Sequence, residues 1–404
     1  MQARSRFASA GLVLVTLALL AAVSCRSSKP TSAAQATPAV PGVAATEVTI
    51  GAHFPKTGNS STYAPIAQAM QAYFDYVNHE QGGVNGRAIK FVVRDDQSNP
   101  AVALAVTKQL VQSDDVFAFD GSLGTPTHAA AVGYLNDLHV PDMFVFSGAS
   151  LFNDSSKYPY TFPFTPSYRR EARILAEYAD QHWAGMKVGV LYQNDDFGKD
   201  YLNAFVSGLQ GKLQVVAQQS YELTTSDVAS QMTALKSSGA QVLAVFAIPK
   251  FAALAFRFLG DSGWKPHTLM TSILADPSVI KAAGASNMEG VVTANYLPLI
   301  SDRSDPNVQL AERIMTKYAP GAQVSQYTLM GMANAQLMVA TLKRAGKDLT
   351  RKGLIKAADS LRDFKFMALS AATITASDHS PLHCERPMQL ANGGFVYVGD
   401  TICA

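Results

Sequence analysis

Residues 48–64 read VTIGAHFPKTGNSSTYA, and the first seven of them decide the fold. Val48–Phe54 is a nearly continuous apolar run, which predicts a strand covered on both faces. The polar loop after it opens a helix whose Ile66, Met70, Tyr73, Phe74 and Val77 recur at helical spacing. That helix stops at QGGVNG (81–86), where Gly82 and Gly83 can take the left-handed conformation that ends helices. A strand buried on both faces and followed by an amphipathic helix is the start of a βαβ unit, so a parallel sheet is expected.

Downstream the pattern repeats. Strands are predicted at AIKFVVRDD (88–96), VFAFDGS (116–122) and DMFVFSG (142–148). Between them lie a helix with Val102, Val106 and Leu110 on one face and another from about Thr127 to Leu138. The same order then recurs with KVGVLYQ (187–193), LQVVAQQSY (213–221), QVLAVFA (241–247), HTLMTS (267–272) and GVVTANYL (290–297). Two α/β halves therefore stand in tandem. A long helix from Tyr327 to about Ala345 and a C-terminal hairpin follow, so the chain is expected to cross between lobes more than once.

The N-terminus adds an address. Arg4 and Arg6 precede an apolar stretch from Ala8 to Val23, with small residues Ala22 and Ser24 ahead of Cys25. This is the layout of a secretory signal over 1–24; the alternative, a membrane-spanning anchor, wants roughly 20 apolar residues. Ala22-Val23-Ser24-Cys25 is similar to a bacterial lipobox, with alanine where leucine is usual, which makes Cys25 the expected lipidation site. The Ser, Ala, Pro and Thr-rich segment 25–46 cannot bury enough apolar surface to order itself and reads as a tether.

Composition narrows the class. The chain has 404 residues, 48% hydrophobic and 16% charged, enough for two cores, and its net charge of +2 leaves no footprint for nucleic acid. No GxGxxG follows the first strand, and neither a P-loop nor a GxSxG elbow occurs. Asp95 and Asp96 could pair for a metal or for acid–base work, but a capped loop before Pro100 accounts for them. His379, His383 and Cys384 resemble a metal cluster, yet Pro381 interrupts helical spacing between the histidines. Cys384 and Cys403 flank the Asn392-Gly393-Gly394 turn signal almost symmetrically, so a hairpin would bring them face to face for a disulfide; the alternative is two free thiols. No enzyme, metal or cofactor is expected.

In a doubly wound sheet, ligands bind beyond the carboxyl ends of the strands. There GSLGTPTH (121–128) offers Ser122, Thr125 and free amides at a helix N-terminus, suited to a carboxylate. FSGAS (146–150) offers Ser147, Gly148 and Ser150; GNSSTYAP (58–65) places Tyr63, and NDDFGKDY (194–201) places Phe197. Helix capping alone would also select such residues, loop by loop.

From about Glu47 to Tyr296 the chain resembles the type I periplasmic binding proteins of the branched-chain amino-acid-binding (Leu/Ile/Val) branch. The resemblance rests on the stretch 48–64, VNHEQGGVNGRAIKFVVRDDQSNPAVAL (77–104), GSLGTPTHAA (121–130) and VFSGAS (145–150). It implies two Rossmann-like lobes on a three-crossover hinge, closing on a small solute without catalysis. The lobes are expected at 47–165 and 293–370 for the first, and 166–292 and 371–404 for the second. The resemblance further implies an ABC importer permease as partner, a lipid-anchored monomer outside the cytoplasmic membrane, and carboxylate donors at Thr125, Ala149 and Ser150 beside Gly148. Tyr63 and Phe197 become aromatic walls. Members that bind amino acids hold the ligand ammonium with an acidic residue after a second-lobe strand; here Ile273 falls at or next to that position, with Asp276 slightly farther along. A carboxylate with an apolar or aromatic body is therefore expected over an ordinary amino acid. A sensory module with a signalling partner would use the same fold.

Overall fold

A computed structural model describes residues 40–403. The expected signal segment, Cys25 and the tether as far as residue 39 lie outside the described residues. The tether prediction ran too far, because residues 40–46 are held. Thr49 N donates to Gly42 O at 2.8 Å, Ala44 N donates to Glu47 O at 2.8 Å, and Val40 and Val43 pack on the core. Gly42 sits at φ 69°, and a Cβ there would meet Phe117 N at 2.2 Å, so only glycine allows this approach.

The first lobe begins with β1 (Glu47–Phe54), α1 (Ala64–Glu80), β2 (Ala88–Asp95), α2 (Pro100–Gln112), β3 (Ala118–Asp120), α3 (Thr125–Asp137), β4 (Asp142–Val145) and β5 (Thr161–Pro163). Its sheet runs β2-β1-β3-β4-β5, parallel throughout. Residues 48–54 of β1 are all buried, Thr49 and His53 among them, as a strand covered on both faces requires. The strand β5 was not read from sequence, since three residues carry no periodicity.

The second lobe takes up α4 (Tyr168–His182), β6 (Lys187–Gln193), α5 (Asp196–Gly208), β7 (Gln214–Tyr221), α6 (Ala229–Ser237), β8 (Val242–Phe246), α7 (Pro249–Ser262), β9 (His267–Met270), α8 (Pro277–Ala283) and β10 (Val292–Asn295). The chain then returns to the first lobe as α9 (Pro306–Tyr318), α10 (Gln326–Ala345) and α11 (Arg351–Asp359). Helix α10 lies on α1, and Gly331 makes the fit: a Cβ there would meet Ile66 O at 2.3 Å. Last come β11 (Cys384–Ala391), β12 (Gly394–Tyr397) and β13 (Ile402–Cys403).

The second sheet runs β12-β11-β10-β9-β8-β6-β7, parallel from β7 to β10 and antiparallel at β11 and β12. Asn392 and Gly393, at φ 54° and 79°, form the two-residue turn of the β11–β12 hairpin. Two extra residues on the returning arm then shift the register so that Cys403 faces Cys384, and the two are disulfide-bonded.

The lobe boundaries move accordingly. The expected break at 292/293 falls inside β10, which is a second-sheet strand, so the chain leaves after Asn295. The expected break at 370/371 is also early. Ala372 pairs with Phe364, Ile374 N donates to Leu361 O, and the His379 ring stacks on Phe162 at 3.9 Å, which keeps residues 371–379 with the first lobe.

Candidate functional site

A cavity, partly open to solvent, lies between the lobes beyond the carboxyl ends of their strands. The first lobe contributes Tyr63, Asp96, the Gly124–Thr127 loop and Phe146; the second contributes Gln193, Phe197, Leu223, Ile248 and Ile273. Thr165 and Tyr168, from the first crossing, form its floor.

At one end stands the N-terminus of α3. Gly124, at φ 111°, turns the chain into the helix, and no side chain caps that end. The first-turn amides and the positive end of the helix dipole are thus open to an anion. Thr125 Oγ1 is 2.8 Å from Ser147 Oγ, and the buried Tyr168 phenol completes a hydroxyl cluster with these two. Burial raises the Tyr168 and Tyr63 phenols above their ordinary range, so both stay neutral. Tyr63 OH and Thr165 Oγ1 are buried without a hydrogen-bond partner, two polar groups awaiting one inside an otherwise apolar wall.

The structure brings together Tyr63, Thr125, Phe197 and Ile273 of the residues picked from sequence. It does not bring Ser122, Gly148, Ala149 or Ser150 into the cavity lining. Ser122 Oγ accepts from His53 N at 3.3 Å in the core. At Gly148 a Cβ would meet Pro166 O at 2.0 Å, so the glycine serves the hinge. Ser150 faces Asp200 of the second lobe, giving it the backbone N–H at 2.7 Å and the hydroxyl at 3.1 Å. Asp276 also has other work: it caps α8 through Ser278 N at 2.9 Å and accepts from Tyr327 N at 3.1 Å. Asp95 is the capped-loop residue expected, accepting from Lys56 N, Thr57 N and Gln97 N.

Tyr168, Gln193, Ile248 and Leu223 were missed. Gln193 and Ile248 sit at or just past the ends of β6 and β8, the one signal that could have found them. They are wired together, since Tyr221 OH donates to Gln193 Oε1 at 2.9 Å and Ile248 N donates to Tyr221 OH at 3.1 Å.

The lobes are closed on the cavity. Asn59 Nδ2 donates to Leu223 O at 2.6 Å, Lys250 Nζ donates to Asn59 Oδ1 at 2.9 Å, and Tyr327 OH donates to Ile273 O at 2.9 Å. With the Ser150–Asp200 contacts, these bonds cross the cleft on several sides.

A family model described as periplasmic binding protein matches residues 47–394. The chain belongs to the periplasmic binding protein family. Among relatives of this family member, Leu/Ile/Val-binding protein homolog 3 of Brucella melitensis is 22% identical over 340 residues, 83% of this chain and 89% of the relative. A Thermus thermophilus branched-chain amino acid ABC transporter structure with bound valine superposes with a TM-score of 0.80 at 22% identity, over 89% of this chain and 97% of that one. A fatty acid ABC transporter substrate-binding protein from Thermomonospora curvata gives 0.79 at 23% identity, over 90% and 94%. The periplasmic binding protein fold thus accounts for both sheets, the paired lobes and the cleft.

Proposed function

We propose that this chain is the solute-binding lipoprotein of an ABC importer, exported, anchored through Cys25, and selective for a small carboxylate with an apolar or aromatic body. The observation that carries the reading is the polarity of the cavity. The first lobe offers uncapped helix amides and hydroxyls to an anion, while the second lobe presents Phe197, Leu223, Ile248 and Ile273 beside Gln193, whose amide is already bonded to Tyr221 and Asp195. An amino acid would also bury an ammonium. Among the described residues Asp96 is the one carboxylate lining the cavity and is already bonded to His53 and Ser98, and Asp276 is a helix cap. An ammonium left unpaired there costs several kcal/mol, on the order of the affinity of a weak ligand. Proteins of both kinds share this fold, one a branched-chain amino acid transporter protein with bound valine and one named for fatty acids.

Binding works by population shift. A ligand that touches both lobes stabilises the closed form by its extra contacts there, and the closed surface is what a permease would read. Thr125 orients the carboxylate while Tyr63 and Phe197 shut out water. Thermal unfolding with octanoate, benzoate, valine and leucine tests this: the acids should raise the midpoint with concentration and the amino acids should not. A midpoint raised by valine or leucine, with the acids inert, overturns the carboxylate reading.

A further inference from the structure

Behind the cavity wall, Asp96 is the outer end of a buried row of four ionisable side chains. Asp96 Oδ2 lies 2.7 Å from His53 Nδ1, His53 Nε2 lies 3.0 Å from His128 Nδ1, and His128 Nε2 lies 2.8 Å from Asp142 Oδ2. All four residues are 0% exposed. Ser98 N donates to the other Asp96 oxygen at 2.8 Å, and Thr161 Oγ1 donates to Asp142 Oδ2 at 2.8 Å. The row draws on β1, the loop after β2, α3 and β4, and among the described residues the charged groups bearing on His53 are the other three members.

Counting protons decides its state. Two neutral imidazoles supply two ring protons, but three contacts need three. With two, each directed at its carboxylate, the facing ring nitrogens would set lone pair against lone pair at 3.0 Å in a dry interior. With four, two N–H groups would collide there. Three protons satisfy every contact and leave the row with a net charge of −1 beside ionised carboxylates. Burial holds His53 below the ordinary histidine range and so favours its neutral ring.

We propose that Asp96, His53, His128 and Asp142 hold three protons as one unit, and that this unit lets the cavity wall accept an anion although no lysine or arginine lines it. When an anion enters beside Asp96, the Nδ1 proton of His53 passes to Asp96 Oδ2 and the Nδ1 proton of His128 passes to His53 Nε2. No proton is gained or lost. Asp96 becomes neutral, both imidazoles become neutral, and the remaining negative charge lies on Asp142, at the far end of the row from the cavity. The anion in this step is the carboxylate ligand proposed above; the proton count itself is independent of that reading.

Nitrogen-15 NMR of the histidine rings in the purified chain tests both parts, with His53→Gln and His128→Gln assigning the signals. In ligand-free protein, His128 should carry protons on both ring nitrogens and His53 on Nδ1 alone. Absence of any proton between the two rings overturns the unit, whether or not an acid binds. If the Gln variants do not fold, the wild-type spectrum still reports whether one slowly exchanging histidine has two ring protons. With octanoate bound, His53 should switch to the Nε2–H form; a His53 that keeps its Nδ1 proton overturns the relocation step. If octanoate does not bind while the inter-ring proton is present, the carboxylate reading fails and the three-proton unit stands.

Discussion

Replacing Glu171 with glutamine should make the protein less sensitive to alkaline pH. Glu171 sits in the first turn of α4, 1% exposed, with its oxygens accepting from Ser272 N at 2.6 Å and Ser272 Oγ at 2.7 Å. Burial is the dominant influence and pushes its carboxyl from 4.5 up to about 7, with the Ser272 bonds pulling the other way. Glu385 of β11 is a second buried carboxyl, without a partner for either oxygen, and burial together with the Glu171 charge drives it well above the usual range. Because the folded state holds the Glu171 proton more tightly than the unfolded chain, its contribution is complete below about pH 4.5 and is lost as pH rises through about 7. The difference corresponds to about 3 kcal/mol in all, of which about 2 kcal/mol disappears between pH 5.5 and pH 8. Glutamine has the same shape and does not ionise. Urea unfolding of wild type and Glu171→Gln at the two pH values should therefore show the variant gaining about 2 kcal/mol on wild type in going from pH 5.5 to pH 8. Curves that stay parallel within about 0.5 kcal/mol, the size of an ordinary surface effect, would refute the assignment of a buried, proton-holding carboxyl.

Further outcomes follow from the cleft and the C-terminus. Thr125→Ala should weaken carboxylate binding by about 1 to 3 kcal/mol in calorimetry, with the unfolding midpoint of the free protein nearly unchanged. Asp200→Ala removes an acceptor that bonds Ser150 and Arg169, the first of these across the cleft, so the free protein should open, seen as a larger radius of gyration in X-ray scattering. Its affinity should fall by about tenfold or more as the closed state loses one charge-assisted contact. Cys384→Ser opens a bridge spanning 19 residues and should cost about 3 kcal/mol, lowering the midpoint as reduction of the wild type does.

The fold was legible because its strands are buried on both faces. The run 242–246 is apolar throughout and the run 48–54 nearly so, a pattern that no surface strand would carry. The hinge was less so: residues 371–379 have no periodicity, and only the stacking of His379 on Phe162 shows which lobe holds them. At the site, Thr125 and Phe197 could be found because they stand where a strand hands over to a helix. Ser150 stands in an equivalent loop, but a serine hydroxyl that meets a ligand and one that meets Asp200 look identical in sequence. The His53–His128 contact was hidden for another reason. The two residues are 75 positions apart on a strand and a helix; the apolar run around His53 marks it as buried, but nothing local says which distant residue it meets.

The interleaving of the lobes has a consequence for how the molecule comes into being. Helix α1 must wait for α10, some 260 positions later in the chain, before its inner face is covered, and β10 must wait for β11. Neither lobe can therefore be cut out as one contiguous fragment, and each remains incomplete while the other is being made. Such long-range pairing slows folding, which leaves the half-made chain pliable for longer. Late closure of both cores thus keeps either half open until nearly the whole chain has been made.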